Sequence, residues 1–218
     1  KFKRENLSNY KYINFNIETL SRPVLNQIIK RNNLSGLNVT SPYKERIVPY
    51  LDKLSDEAEN IKSVNTIKII DNNLFGYNTD IIGFKESFLP LAEKQEKILI
   101  LGNGGASKAV QFILKEANYN YKIVSRKSCF NYTKITNDII KRYSIIINTT
   151  NLGMYPNIKT YPKLPYKQLN TNHLLFDLVY NPEETLFLKF GRINNAKTKN
   201  GMEMLLSQAE ASWEIWNS

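Results

Sequence analysis

Bulky and polar residues alternate along Tyr10–Lys11–Tyr12–Ile13–Asn14–Phe15–Asn16–Ile17, a two-residue period that predicts a strand. From Thr19 to Arg31 the period lengthens. Leu20, Val24, Leu25, Ile28 and Ile29 share a helical face, and Pro23 suits the first turn. Gly36 opens a short predicted strand, Leu37–Asn38–Val39–Thr40, and Ser41 with Pro42 predicts the N-cap and first position of another helix. Ser55 to Ile61 predicts a helix and Val64 to Ile70 a strand. Asp71–Asn72–Asn73 then forms the turn of a hairpin returning along Leu74–Phe75–Gly76–Tyr77. Thr79 to Leu91 is helical in pattern. Strands follow at Lys97–Leu101, Tyr121–Ser125, Ser144–Asn148 and Leu174–Val179, and the third is continuously apolar, as strands buried on both faces are. The chain closes on an amphipathic helix whose predicted apolar stripe is Met202, Leu205, Leu206, Ala209, Trp213 and Trp216. Strands alternating with helices in the second half predict a doubly wound parallel sheet with right-handed crossovers. The fold class is therefore α/β in two lobes, with the Rossmann-like lobe second.

Composition narrows the possibilities. A chain of 218 residues, 42% hydrophobic and 23% charged, can bury one large core or two small ones. No apolar run is long enough to span a bilayer, and Lys1–Phe2–Lys3–Arg4–Glu5 does not resemble a signal peptide, so a cytoplasmic protein is expected. The single Cys129 excludes an intrachain disulfide, and with the lone His173 it offers no metal site. The net charge of +10 is scattered along the chain, not gathered in a block with interleaved aromatics. It suits the attraction of a small anion, not the gripping of nucleic acid.

Strand Lys97–Leu101 breaks into Gly102–Asn103–Gly104–Gly105–Ala106–Ser107, and a helix-forming segment follows at once. This order places free backbone N–H groups, and the positive end of a helix dipole, where a diphosphate can sit. Gly102 permits the tight turn and Gly104 lets the backbone approach the ligand, while Ser107 replaces the third glycine of the common fingerprint with another small residue. At the end of the next strand an acidic residue would bind a free ribose 2′-hydroxyl. Here the segment reads Ser125–Arg126–Lys127, which suits a 2′-phosphate and hence NADP(H).

Two groups upstream of that turn can carry chemistry. Lys44 falls in the first turn of the helix predicted from Ser41, where the dipole disfavours a cation and should lower its pKa, as an acid/base lysine requires. Asp80 opens the helix after Asn78–Thr79, and capping alone would account for it. Taken together, the two supply a proton donor and its orienting carboxylate for reduction of a carbonyl by hydride.

The chain resembles the shikimate dehydrogenase family along its whole length. The matching motifs are Asn38–Val39–Thr40–x–Pro42–x–Lys44, Val64–Asn65–Thr66, Asn78–Thr79–Asp80–x–x–Gly83 and Gly102–x–Gly104–Gly105–Ala106–Ser107. Later come Asn148–x–Thr150–x–x–Gly153–Met154, Asp177–x–x–Tyr180–x–Pro182–x–x–Thr185 and Gly201–x–x–Met204–Leu205–x–x–Gln208. The resemblance implies NADPH-dependent reduction of 3-dehydroshikimate to shikimate in aromatic amino acid biosynthesis. It implies Lys44 as catalytic lysine with Asp80 as partner on the substrate hydroxyls, and substrate contacts at Thr40, Asn65, Tyr180 and Gln208. It also implies Leu178, Gly201 and Thr149 beside the nicotinamide. The expected domains are 1–83 with the helix of 201–218 for substrate, and 84–200 for NADP; a monomer or homodimer is expected.

Two departures stand out. The family's first strand and Ser-x-Ser-Pro loop lie before Lys1, so an incomplete chain is expected. The family's second basic residue for the 2′-phosphate is replaced by Phe130. A quinate/shikimate enzyme with relaxed NAD/NADP choice, and a non-catalytic shikimate-binding relative, are the alternative readings.

Overall fold

The computed structural model describes residues 1–2, 5–93, 95–126 and 129–218, so Lys127 of the expected cofactor site lies outside the described residues. Two compact units are present, 1–33 and 34–218. In the first, α1 (Arg22–Asn32) starts where Ser21 Oγ accepts the Val24 N–H and ends on Asn33 in the left-handed region. This matches the predicted helix. The strand expected at 10–17 does not form, and Tyr10, Tyr12 and Ile13 are exposed. Alternation supplies a face, but a strand also needs a ladder with a neighbouring strand, and among the described residues the sheets take none of their strands from this segment.

The second unit holds two sheets. β1 (Gly36–Asn38), β2 (Lys53–Leu54), β3 (Thr66–Ile70) and β4 (Asn73–Tyr77) form a mixed sheet in the order β1-β3-β4-β2. The β3–β4 hairpin turns on Asp71 and Asn72, both at positive φ, as a two-residue turn of matching twist requires. Beside it, α2 (Asp56–Ile61) is capped by Ser55, as predicted. From β4 the chain passes into α3 (Asp80–Phe88) and then into β5 (Lys97–Leu101), which has a parallel neighbour on each side in a wholly parallel sheet.

That second sheet comprises β5, β6 (Asn120–Val124), β7 (Ile145–Asn148), β8 (Leu174–Asp177) and β9 (Lys197–Lys199), in the order β6-β5-β7-β8-β9. The order reverses at β5, so the carboxyl ends of β5 and β7 frame the switch point where such sheets bind ligands. Successive strand residues feed two cores. Ile98, Ile100, Ile145, Ile147 and Phe176 meet Phe84 and Phe88 of α3 and Val110 and Leu114 of α4 (Gly105–Glu116). On the opposite face Leu99, Leu101, Ile146 and Leu175 meet Ile140 of α5 (Asn137–Arg142) and Phe187 and Leu188 of α6 (Leu186–Ile193). Burial on both faces explains the unbroken apolar runs. The short β2 and β9 carry too little apolar pattern to have been predicted.

Two further expectations are overturned. No helix starts at Ser41. A tight turn joins the Thr40 carbonyl to the Tyr43 N–H at 2.9 Å, and the Lys44 carbonyl accepts the Val64 N–H at 2.8 Å, so a long-range bond takes an acceptor that a helix needs. The dipole invoked for Lys44 therefore has no helix to act through. The closing helix α7 (Met202–Asn217) forms, but its predicted stripe is rotated: Met202, Leu206 and Ala209 are exposed, while Met204, Ala211 and Ser212 are buried. α7 packs on a surface that presents hydroxyls and an amide, and the face able to satisfy them turns inward.

Candidate active site

Gly102 follows β5 at φ 112°, a conformation that L side chains rarely adopt, and a Cβ there would meet Thr149 Oγ1 at 2.5 Å. Thr149, just past β7, donates both its N–H and its hydroxyl to the Leu101 carbonyl, at 2.9 and 2.7 Å, so the two strand ends at the switch point are tied together. Asn103 is exposed. Gly104 is the N-cap of α4, where a Cβ would meet only open space, and no side chain caps this helix. The N–H groups of the first turn, from Gly105 and Ala106 onward, thus have no side-chain cap and lie beside the open space at Gly104, a fit to the diphosphate of a dinucleotide. Behind them the buried Ser107 donates its hydroxyl to the Gly102 carbonyl at 2.9 Å and accepts from Gln111 Nε2 at 3.0 Å. Past β6, Ser125 is half-buried and Arg126 is exposed. Burial raises the pKa of the neighbouring Tyr132 phenol, and the Arg126 charge pulls it down.

Four residues expected to meet substrate converge from four segments: the turn that holds Lys44, the residue before β3, the start of α3, and α7. Lys44 Nζ donates to Asp80 Oδ2 at 2.6 Å, with side-chain exposures of 16% and 7%, so water screens the pair little. Asp80 is the first residue of α3, but its other oxygen accepts from Asn65 Nδ2 at 2.9 Å, and Thr79 before it forms no side-chain cap. The capping explanation for Asp80 therefore gives way to a bridge between Lys44 and Asn65. Asn65 is fully engaged: its Oδ1 accepts the Thr79 N–H at 2.7 Å, and its Nδ2 also reaches Gln208 Oε1 at 3.3 Å. The pairing of Gln208 with Asn65 brings α7 to the site.

Behind this front lies a hydroxyl layer that sequence reasoning missed. Thr66 and Ser212 hydroxyls are 2.7 Å apart, Thr79 and Ser212 3.1 Å, and Asn38 Nδ2 donates to Ser212 Oγ at 3.2 Å. Part of the signal lay in the chain itself, because Asn38, Thr66 and Thr79 stand inside the family motifs. Ser212 alone had none. Thr40 and Tyr180 are exposed and outside this hydrogen-bonded group.

The two halves of the site touch. A Cβ on Gly105 would lie 3.0 Å from Ser63 Oγ and 3.2 Å from Lys44 Cβ, so the stem of Lys44 rests on the first turn of α4. A second link, between Lys108 of α4 and Glu45, spans 2.6 Å.

Leu178 and Gly201 meet on the far side of the switch point. Leu178 N–H donates to the Asn148 carbonyl at 3.0 Å, and Gly201 N–H donates to the Val179 carbonyl at 3.1 Å, with Gly201 pressed against the Leu178 carbonyl. Beneath them Asp177, the last residue of β8, is wholly buried. Asn148 Nδ2 and the Val179 N–H donate to its Oδ1 at 2.9 and 3.0 Å, and the Thr185 hydroxyl donates to its Oδ2 at 2.6 Å. Desolvation raises its pKa to about 6 despite these bonds. His173 is also buried, its ring nitrogens on Asn170 and the Ile140 carbonyl, in a structural turn.

Among the described residues no cluster of His, Cys, Asp or Glu is arranged to hold a metal ion, and no helix is long and apolar enough to cross a membrane.

Comparison with known proteins agrees with this geometry. The family described as the shikimate dehydrogenase substrate binding domain matches residues 1–67. Shikimate dehydrogenase (NADP(+)) of Methanosphaera stadtmanae is 37% identical over 228 residues, covering 95% of this chain and 81% of the relative. The crystal structure of shikimate dehydrogenase 1 from Peptoclostridium difficile superposes with a TM-score of 0.87 at 39% identity, covering 99% of this chain and 83% of that one. The Thermus thermophilus shikimate 5-dehydrogenase, solved in complex with NADP(H) and shikimate, superposes with a TM-score of 0.77 at 29% identity, covering 89% and 77%.

Proposed function

This chain belongs to the shikimate dehydrogenase family, and we infer from its site how the family's reaction, NADPH-dependent reduction of 3-dehydroshikimate to shikimate, is divided among its residues. It is an NADP-dependent oxidoreductase of aromatic amino acid biosynthesis. The observation that carries the assignment is the 2.6 Å Lys44–Asp80 pair, held against the first turn of α4 through Gly105.

NADPH, when bound, supplies the hydride. Gly102, whose own N–H is held by the Val124 carbonyl at 2.8 Å, makes the turn; Asn103, Gly104, Gly105, Ala106 and Ser107 would receive its diphosphate on backbone N–H groups, Ser125 and Arg126 would take the 2′-phosphate, and Thr149, Leu178 and Gly201 would border the nicotinamide. Lys44 donates the proton that the carbonyl oxygen needs as the carbon is reduced to an alcohol, and it regains that proton from solvent. Asp80 orients the ammonium and accepts from a ring hydroxyl. Asn65 and Gln208 fix the remaining hydroxyls, with Thr40 and Tyr180 at the rim. A stem already locked by packing means little ordering is left to do when substrate arrives.

The strands of the mixed sheet lie within 36–77 and those of the parallel sheet within 97–199, which supports residues 1–83 with 201–218 as substrate domain and 84–200 as cofactor domain. The protein works in the cytoplasm, where an exposed, free thiol such as that of Cys129 stays reduced, and it acts as a monomer or homodimer.

Lys44→Ala tests the assignment. Shikimate oxidation with NADP, followed by absorbance, should fall in kcat by about 10²–10⁴, as for loss of a positioned proton donor. An unchanged kcat would remove Lys44 from the chemistry.

A further inference from the structure

We propose that Asp177 is a positioning residue for hydride transfer, a buried anion that locks the loops after β7 and β8 in the geometry the nicotinamide and substrate need. The inference rests on the functional reading above and concerns a residue that touches neither ligand.

Three elements meet on this one carboxylate. Asn148, the last residue of β7, donates to Oδ1 at 2.9 Å, and its own Oδ1 accepts the Thr150 N–H at 3.1 Å and the Thr150 hydroxyl at 2.6 Å. The path from Asp177 to the Thr149–Thr150 loop is therefore two hydrogen bonds long. Oδ1 also accepts the Val179 N–H at 3.0 Å, which sets the backbone on which Leu178 meets Gly201. Oδ2 holds the Thr185 hydroxyl at 2.6 Å, and that hydroxyl caps α6 by accepting from Leu188 N–H at 3.4 Å.

A fully buried carboxylate is costly, and an apolar residue would fill the space at lower cost. Its presence needs another reason, and the location supplies one. Every group bonded to it lies at the carboxyl end of β7 or in the connection leaving β8, on the side of the sheet where the proposed cofactor site lies. Charged acceptors hold donors about twice as strongly as neutral ones and fix their direction. The pKa of about 6 leaves the ionised form dominant at neutral pH. The other titratable group facing it is Tyr166, whose phenol is pushed far up by burial and by the Asp177 charge and donates to the Pro162 carbonyl at 2.7 Å. Below pH 6 Asp177 is protonated: with the proton on Oδ2 it still accepts from Asn148 and Val179 on Oδ1 but must donate to the Thr185 hydroxyl, so all three contacts lose their charge assistance and the one to α6 reverses.

The test compares wild type with Asp177→Asn and Thr185→Val in full steady-state kinetics of shikimate oxidation from pH 5 to 8, with circular dichroism and melting curves. Asp177→Asn keeps the shape and can still accept from Asn148 and Val179, so it should fold. Its kcat should fall on the order of 10- to 100-fold, the scale expected for a displacement near 1 Å, with the KM for shikimate within about twofold of wild type. The acid limb of the kcat profile near pH 6 should be present in wild type and absent from Asp177→Asn. Thr185→Val, which removes one bond and leaves the carboxylate, should give a smaller fall in kcat with the limb retained. Should Asp177→Asn fail to fold, Thr185→Val decides: unchanged kcat in that variant overturns the proposal. A folded Asp177→Asn with wild-type kcat, or with the acid limb intact, also overturns it. Wild type without turnover would defeat the functional reading itself, whereas active wild type with unaffected variants defeats only this inference.

Discussion

Asp177, proposed above to position the loops for catalysis, also links acidity to stability. Its pKa is about 6 in the folded protein against an ordinary value of 3.8, so the folded state binds the proton more tightly. The sign follows: this group's contribution to stability is full below the ordinary carboxylate range and is lost as pH rises through about 6. A difference of about two pH units corresponds to about 3 kcal/mol at most. Melting temperatures of wild type and Asp177→Asn, compared from pH 4 to 8, should diverge across this window, with wild type losing ground as pH rises. Parallel curves would show that the carboxylate is not perturbed. Lys44, Asp80, Asn65 and Gln208 were legible in the amino-acid sequence because each sits in a motif whose order along the chain is informative. The partnership of Asp80 with Asn65 was not, since the bond joins α3 to the segment before β3 and no local pattern encodes it.

Helix α3 shows what one element can carry. Its first residue enters the site while Phe84 and Phe88 stack at 4.7 Å between rings in the core beneath the parallel sheet. On its outer side Gly83 lets α7 approach until a Cβ would collide with the Met204 carbonyl and lie 3.1 Å from Gln208 Cβ. Gly83→Ala in an isolated helix would stabilise by about 0.5–1 kcal/mol. Here overpacking should reverse the sign, costing about 1–3 kcal/mol and lowering Tm by roughly 3–10 °C. It should also displace Gln208 and raise the KM for shikimate. A higher Tm would refute the close packing. The parallel strands, α3 and α4 were legible because their periods are long and their faces uniformly apolar. The face of α7 was misjudged because pattern reading assumes an apolar neighbour, and this helix buries Ser212 against Thr66 and Thr79. The helix expected after Ser41 failed for a related reason, since Val64 takes the Lys44 carbonyl from 20 residues away. Long-range partners outvote local propensity at such places.

Taken whole, the chain carries a net charge of +10, a field that favours the more anionic of two otherwise identical coenzymes. Arg126, exposed beyond β6, is the residue proposed above to turn that general attraction into recognition of one phosphate. Arg126→Ala should therefore raise the KM for NADPH by roughly tenfold or more, from the loss of a charge-assisted contact, while leaving that for NADH within about twofold. Equal effects on both would show that the guanidinium does not meet the 2′-phosphate. The contact between Gly105 and Lys44 reaches further still. A Cβ at 105 would press on the methylene stem of Lys44 at 3.2 Å, so one backbone position borders both the proposed proton donor and the proposed diphosphate cradle. A nucleotide-binding segment grafted from another dehydrogenase with a larger residue there would crowd that lysine, however well it held its own coenzyme. Re-engineering of coenzyme preference is therefore better aimed at Arg126, beyond β6, than at the turn itself.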